Sequence, residues 1–336
     1  MGYRLKAVAL SLAAGVAGAS VDVAIVGAPA YSEPQAPATI TLHYSRPTTE
    51  SEKRLVLILD VYDNVSNTRL KHYVQEGPTG NGFKDAIADV PFIVTIPDAA
   101  GGGVYFKATV SPWSLNRAVV AQYKTYPIDG TFTYLWSGGG YGVTQNIYYR
   151  GVRICPKPSG NTTYCSGLAF DCFLSAYNNY NTTYGHTTIN NLTSTQMESF
   201  RKIWYGVTDA EKLAPLAISS YGVGVEITDW EEAQDGDACQ LWRWSTSGHN
   251  PTFISWRRTQ GVITGVNYWG SQGSTNGIGY GGENFGTTSG INPSRFYLAR
   301  AKKPRDQADY DWAMGQTDTI AAPTLLSTQG GAWVVE

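Results

Sequence analysis

The sequence predicts two folded domains, an all-β sandwich followed by an α+β domain. Three observations lead there. The chain has 336 residues, enough for two domains at roughly 100–200 residues each. Its first third is a series of short apolar runs separated by Gly, Pro and Asn, a strand-and-turn pattern. The remainder places helical segments first and strands afterwards, the order of an α+β domain. Hydrophobic residues make up 42% and charged residues 15%, with 37 Gly, 22 Tyr and 10 Trp; this is a folded, aromatic, β-leaning composition. A net charge of −2 supplies no basic field, which argues against a nucleic-acid partner. No apolar run beyond the N-terminus approaches the roughly 18–20 residues that span a bilayer.

Residues 1–30 read as an export signal. Arg4 and Lys6 form a positive start, an apolar stretch runs from Ala7 to Ala19, and Ala17-Gly18-Ala19 and Ala28-Pro29-Ala30 offer cleavage after residue 19 or 30. The expected location is therefore secreted, periplasmic or cell-surface. Glu33 to Pro37 is a short, stiff linker. Within 36–130, strands are expected at Thr39–Tyr44, Arg54–Tyr62, Phe92–Ile96, Val104–Val110 and Val119–Thr125, with turns at Gly77–Gly82 and Asp98–Gly103. That spacing describes an immunoglobulin-like (Ig-like) β-sandwich. No Cys lies there, and His43 and His72 have no nucleophile to serve. The module is expected to be a spacer or to bind a surface ligand or inhibitor protein.

Gly130–Gly142, rich in Gly and aromatics, marks the boundary to a second domain over 143–318, with a tail at 319–336. It opens at Gln145–Cys155. Helices are expected at Cys165–Asn178, at Ser194–Ile203 with Thr193 or Ser194 as cap, and at Thr208–Leu213, capped by Thr208 and broken by Pro215. Strands follow at Ala238–Trp244, Thr252–Arg258 and Val262–Trp269.

Cys165 falls where a loop becomes a helix. Unpaired N–H groups and the helix dipole at such a position favour a thiolate. Its small neighbours Ser166 and Gly167 let a substrate carbonyl approach the first turn, where a backbone N–H can hold an oxyanion. Cys172, two turns on, lies about 10 Å away at 1.5 Å per residue, too far to bridge to Cys165. It is a buried apolar residue or the partner of Cys155 or Cys239. The four cysteines allow at most two disulfides, and their spacing is not that of a zinc site, so no cofactor is expected. His249, after a Ser/Thr/Gly turn and at the start of a strand, is the candidate base, with His186 its rival. The third, orienting group is Asn267, which shares a strand face with Gly265 and Trp269, or Gln272 just beyond. The stretch from Asn267 to Gln272 and the loop Thr275–Gly279 form an expected cleft wall. A carboxylate pair for glycoside hydrolysis is disfavoured, because Glu231 and Glu232 are adjacent and Asp237 belongs to a turn.

Cys165-Ser166-Gly167-Leu168, Gly236-Asp237 and Gly248-His249, in that order, resemble the NlpC/P60 family of peptidoglycan peptidases, within the papain-like group that includes CHAP-type amidases. The resemblance covers Cys165 to about Phe285. It implies an α+β papain-like domain and metal-free cleavage of amide bonds in cell-wall stem peptides. Cys165 would be the nucleophile, His249 the base and Asn267 the orienting group, with Tyr164, Ser166, Gly167, Trp269 and Gln272 at the substrate. The chain departs from the family pattern in having Tyr164 before the nucleophile and Asn250-Pro251 after the base, and an insertion is implied around Asn178–Leu216. The alternatives are a non-catalytic surface binding or adhesion protein, a protein-directed cysteine protease or transglutaminase, a toxin aimed at competitors, and a glycosidase.

Overall fold

The structure is a computed structural model, and it describes residues 3–8, 22–28, 31–32, 37–45, 54–77, 81–84, 87–97, 103–138, 140–184, 188–208 and 211–304. The expected α+β second half is not clearly what the chain builds. Among the described residues strand accounts for 44%, in several sheets, and helix for 21%, so the fold class is mostly β. A sandwich followed by an α+β papain-like domain is thereby overturned. Two compact units divide at Trp113/Ser114, upstream of the Gly/aromatic stretch expected to mark the boundary.

The first unit contains strands β1 (Tyr3–Val8), β2 (Asp22–Gly27), β3 (Tyr31–Ser32), β4 (Pro37–Ser45), β5 (Leu55–Asp63), β6 (Arg69–Gln75), β7 (Ile87–Thr95) and β8 (Gly103–Pro112). They form a five-stranded sheet, β3-β1-β8-β5-β6, and a three-stranded sheet, β2-β4-β7. In β4 the period-2 pattern turns Ala38, Ile40, Leu42 and Tyr44 inward. They meet Leu55, Leu57, Leu59 and Val61 of β5 and Val90, Phe92 and Val94 of β7 in one core. The β5–β6 turn is closed by the Asp63 carboxylate, which accepts the backbone N–H groups of Val65 and Ser66 at 2.8 Å each. Tyr3–Val8, expected within a leader, is a strand whose residues Arg4–Val8 pair in parallel with Gly103–Lys107.

The second unit begins with α1 (Asn116–Lys124) and the short strands β9 (Thr133–Tyr134), β10 (Ile147–Tyr149), β11 (Val152–Cys155) and β12 (Thr162–Thr163). Helices α2 (Cys165–Tyr184), α3 (Ser194–Trp204) and α4 (Ala214–Ser220) follow. The remaining strands are β13 (Gly224–Glu226), β14 (Ala238–Arg243), β15 (Gly248–His249), β16 (Thr252–Thr259), β17 (Val262–Gln272), β18 (Gly277–Asn284) and β19 (Ile291–Ala301). All seven join one antiparallel sheet, β13-β19-β14-β16-β17-β18, with β15 alongside β14. Val119–Thr125, expected as a strand, is α1: Asn116, Val119 and Tyr123 are buried at i, i+3 and i+7, a helical face. Helix α3 carries a capping box between Thr193 and Gln196. Pro215, expected to stop a helix, instead starts α4, where its missing N–H costs nothing. Residues 208 and 211–213 are non-helical. Helix α2 is buried on all sides through its first three turns, as its run of apolar residues requires. Among the described residues no helix is long and apolar enough to cross a membrane.

One buried ion pair ties these elements together. Arg300 of β19 and Asp237, just before β14, are both fully inaccessible, with Nε to Oδ1 at 2.8 Å and Nη2 to Oδ2 at 2.9 Å. Asn116 of α1 donates to the same carboxylate at 2.7 Å, and the Gln234 backbone N–H donates at 2.8 Å. Gly236, at φ +89°, lies so close to Asn116 that a Cβ would stand 2.7 Å from its carbonyl oxygen. Removing one member of such a pair strands a buried charge. Arg300→Met is expected to lower stability by about 3–5 kcal/mol in urea unfolding. The double variant Arg300→Met/Asp237→Leu should recover most of that loss, and a single variant as stable as the double would refute the arrangement.

Candidate functional site

Cys165 is the first residue of α2, and the Tyr164 carbonyl accepts the first helical hydrogen bond from Leu168. Just ahead, the hydroxyls of Thr163 (β12) and Ser271 (β17) meet at 2.8 Å and fasten the helix start to the end of that strand. Cys165 and His249 line one cavity of about 370 Å³, together with Ser166, Gln240, Trp242 and Asn250. Trp136, Tyr134 and Tyr205 complete an aromatic wall. Both candidate catalytic side chains are nearly enclosed, at 6% and 5% exposure.

Burial decides their protonation. It pushes the Cys165 thiol above its ordinary value, against the backbone N–H groups of Asn250, Ser166 and Cys165 itself, which favour the anion. The helix start was expected to lower this thiol; enclosure outweighs it. Burial also pulls His249 down to about 4, with Arg243 adding to the effect and Glu283 and Gln272 opposing it. At rest the cavity therefore holds a neutral thiol and a neutral imidazole. Arg243 is held by Glu283 through two hydrogen bonds, at 2.6 and 2.5 Å, and Tyr268 donates to that carboxylate at 2.8 Å.

Strand β17 puts the two candidates for the third group on opposite faces by parity. Tyr268, Gly270 and Gln272 share one face; Asn267, Trp269 and Ser271 share the other. The His249 ring lies edge-on to Tyr268, with centroids 5.0 Å apart. A Cβ on Gly270 would stand 3.2 Å from His249 Nε2 and 2.8 Å from Gln272 Oε1, so both groups crowd over that glycine. The Gln272 amide acts on the imidazole, although neither Nε2 nor Oε1 makes a well-formed hydrogen bond to a protein group. Asn267 is elsewhere. Its Oδ1 accepts from Arg257 Nε at 2.9 Å and its Nδ2 donates to Ser255 at 3.1 Å.

The other expected substrate residues divide. Ser166 lines the cavity. Gly167 is occupied by the chain itself: a Cβ there would stand 2.1 Å from the Tyr141 carbonyl oxygen, so the residue admits the segment 141–142 and not a ligand. Tyr164 packs edge-on to Trp136 and Tyr205 and donates to the Gly140 carbonyl at 3.1 Å. Trp269 stacks between Tyr123 of α1 and Tyr280 of β18, away from the cavity. The rival base, His186, lies outside the described residues. All four cysteines are free and buried. Among the described residues no group of three or more His, Cys, Asp and Glu side chains converges on a metal position. Gln240 and Asn250 line the cavity and were missed. The alternation of β14 could have found Gln240, since Cys239 and Leu241 are core and the residue between them faces the other way. No protein family, curated protein or solved structure matches the chain.

Because His249 titrates near 4 in the folded chain and near 6.5 unfolded, acidification loads a proton onto the unfolded state first. The associated stability is intact above about pH 6.5 and is lost as pH falls to about 4, a total of about 3 kcal/mol. Urea midpoints at pH 7 and 4.5 should differ accordingly, and His249→Gln should shrink the difference. An equal acid loss in that variant would mean that His249 is not the group responsible.

Proposed function

We propose that this chain is an exported cysteine hydrolase that cleaves amide bonds of peptidoglycan stem peptides. The observation that carries the reading is that Cys165, at the start of α2, and His249, in β15, line one cavity. Cys165 Sγ attacks the carbonyl carbon while its proton passes to His249. The C–N bond then breaks as the imidazolium gives that proton to the leaving amine. Water adds to the thioester, the acid departs, and the sulfur recovers a proton through His249. The N–H groups of Cys165, Ser166 and Asn250 are the candidates to hold the oxyanion. Since the resting pair is neutral, proton transfer accompanies attack instead of preceding it. The substrate class rests on the resemblance of the Cys165, Gly236-Asp237 and Gly248-His249 motifs to NlpC/P60 peptidases, and nothing in it rests on the fold.

Incubation with purified peptidoglycan tests this. The chain should release soluble peptides, and Cys165→Ala should abolish release. Gln272→Ala should lower kcat by about 10²-fold with little change in KM, the loss expected for a group that positions a base. In the intact enzyme kcat should rise with pH through about 4, as His249 loses its proton, and then level off. Release by Cys165→Ala at the original rate would eliminate the nucleophile. Binding to peptidoglycan without release would favour the adhesion reading.

Export by the Arg4/Lys6 leader belongs to the same proposal. Cleavage after Ala30 would remove β2, whose Val23 is buried at 1% exposure in the sandwich core. Cleavage after Ala19 spares β2 and removes β1 alone, which favours Ala19 as the site in this proposal. The intact mass of the chain recovered from the culture medium should correspond to a start at Ser20; a mass that retains Tyr3–Val8 rejects this leader.

A further inference from the structure

Half-buried Trp242 lines the cavity of Cys165 and His249 from β14, on the side away from the core residues Cys239 and Leu241. Three partners fix its ring. The indole N–H donates to the Glu211 backbone carbonyl at 2.8 Å. The Arg295 guanidinium lies over the ring, 5.0 Å from its centroid. Gly248, its register partner in β15, runs alongside, and a Cβ there would stand 2.9 Å from the six-membered ring, so the indole keeps this place only beside a glycine. Glu211 is anchored in turn. Its carboxylate accepts from Arg295 Nε at 2.6 Å and from the Tyr297 hydroxyl at 2.9 Å, and those two residues share a face of β19. The next residue, Lys212, is tied to both oxygens of Glu226 at 2.9 Å. Leu213 then lines the cavity at φ +44° and ψ −114°, a conformation that bulky residues avoid. Strain of this kind persists where neighbours impose it, and it collects at binding sites.

Around Trp242 the cavity presents apolar carbon and no formal charge. Trp136, 61% exposed, and Tyr205 line it, and both pack edge-on against Tyr164. Cys165 and His249 are neutral there, and Arg243 is engaged by Glu283. We infer that Trp242 is the platform for an uncharged, apolar side chain of the substrate next to the scissile amide, and that Glu211 is the residue that positions this platform. An apolar side chain gains by leaving water for rings that are already ordered, so little is lost in fixing the wall. A carboxylate would give up its hydration with no cation in the lining to replace it. The inference rests on the reading of Cys165 as a nucleophile acting on peptides. It adds the class of peptide taken: one in which a residue flanking the bond is apolar and not acidic.

The test uses synthetic stem-type peptides that carry alanine, leucine, phenylalanine or glutamate in turn on either side of the scissile amide. At one of the two positions the wild-type chain should show kcat/KM for leucine or phenylalanine at least about 10-fold above alanine, the scale on which an apolar pocket reads added methylenes. Glutamate should fall below alanine. Trp242→Ala should reduce the leucine-to-alanine ratio toward unity. Glu211→Ala should raise KM for the leucine peptide about 10-fold with kcat unchanged, the pattern of lost uniform binding. Equal rates for all four residues at both positions overturn the inference, as does a preference for glutamate. A ratio unchanged in folded Trp242→Ala, or a KM unchanged in folded Glu211→Ala, also overturns it. The wild-type ratio stands by itself if a variant fails to fold. Calorimetric binding of the same peptides to Cys165→Ala separates the two claims. Preference for leucine in binding, with no hydrolysis by wild type, would remove the hydrolase and leave the subsite. Hydrolysis without preference would do the reverse.

Discussion

Arg300 and Asp237 meet in the interior of the second unit, where no solvent shares their charge, and three segments converge to satisfy them. Helix α1 supplies Asn116, the turn before β14 supplies the Gln234 amide and the close approach of Gly236, and β19 supplies the arginine. The pair need not stabilise the fold in net terms to shape it; a buried charge couple excludes every arrangement that separates its members. From that point β14 runs on with Cys239 and Leu241 in the core and with Gln240 and Trp242 at the cavity. The placement of the site thus follows from the anchoring of the sheet. Gly236-Asp237, noticed first as part of a catalytic motif, is architecture.

At Cys165 two physical effects compete, and their order sets the chemistry. A helix N-terminus contributes on the order of 0.3–1 kcal/mol to a nearby anion, up to about 2 in partly buried settings. Removing a thiolate from water costs more, and the surrounding amides do not make up the difference. The same enclosure keeps the imidazole unprotonated. A thiol enclosed in this way rests in its protonated, weakly nucleophilic form.

Much of this was legible in the sequence where one signal acted alone. The strand pattern of β4 and β5, the cap of α3 and the helix beginning at Cys165 all stand where local chemistry puts them. The failures came where a residue type has two uses. Val119 and Val120 suggest a strand, yet the buried spacing of Asn116, Val119 and Tyr123 is helical. Pro215 reads as a stop and serves as a start. The glycines of β18 disguised a strand, because they exist to admit neighbours: a Cβ on Gly281 would stand 2.2 Å from the Tyr268 ring. Recognising β18 and β19 as long strands is what turns the expected α+β half into a sheet-dominated one. At the site, Cys165 and His249 could be named as candidates from motifs, whereas the cavity positions of Gln240 and Asn250 and the opposite facing of Gln272 and Asn267 needed the three-dimensional structure.

That parity has a consequence for how the chain can change over generations. Along β17 and β18 the register runs unbroken through eight pairs, from Gly265 opposite Asn284 to Gln272 opposite Gly277. Losing or gaining two residues within β17 would shift its pattern and keep each face's character. Losing one would turn every downstream side chain over, bringing Ser271 to the imidazole and sending Gln272 toward the helix start. Point substitution can therefore explore this strand freely at its outer end, while single-residue insertions and deletions are barred from it. Length variation among descendants of this sequence should collect in the turns on either side.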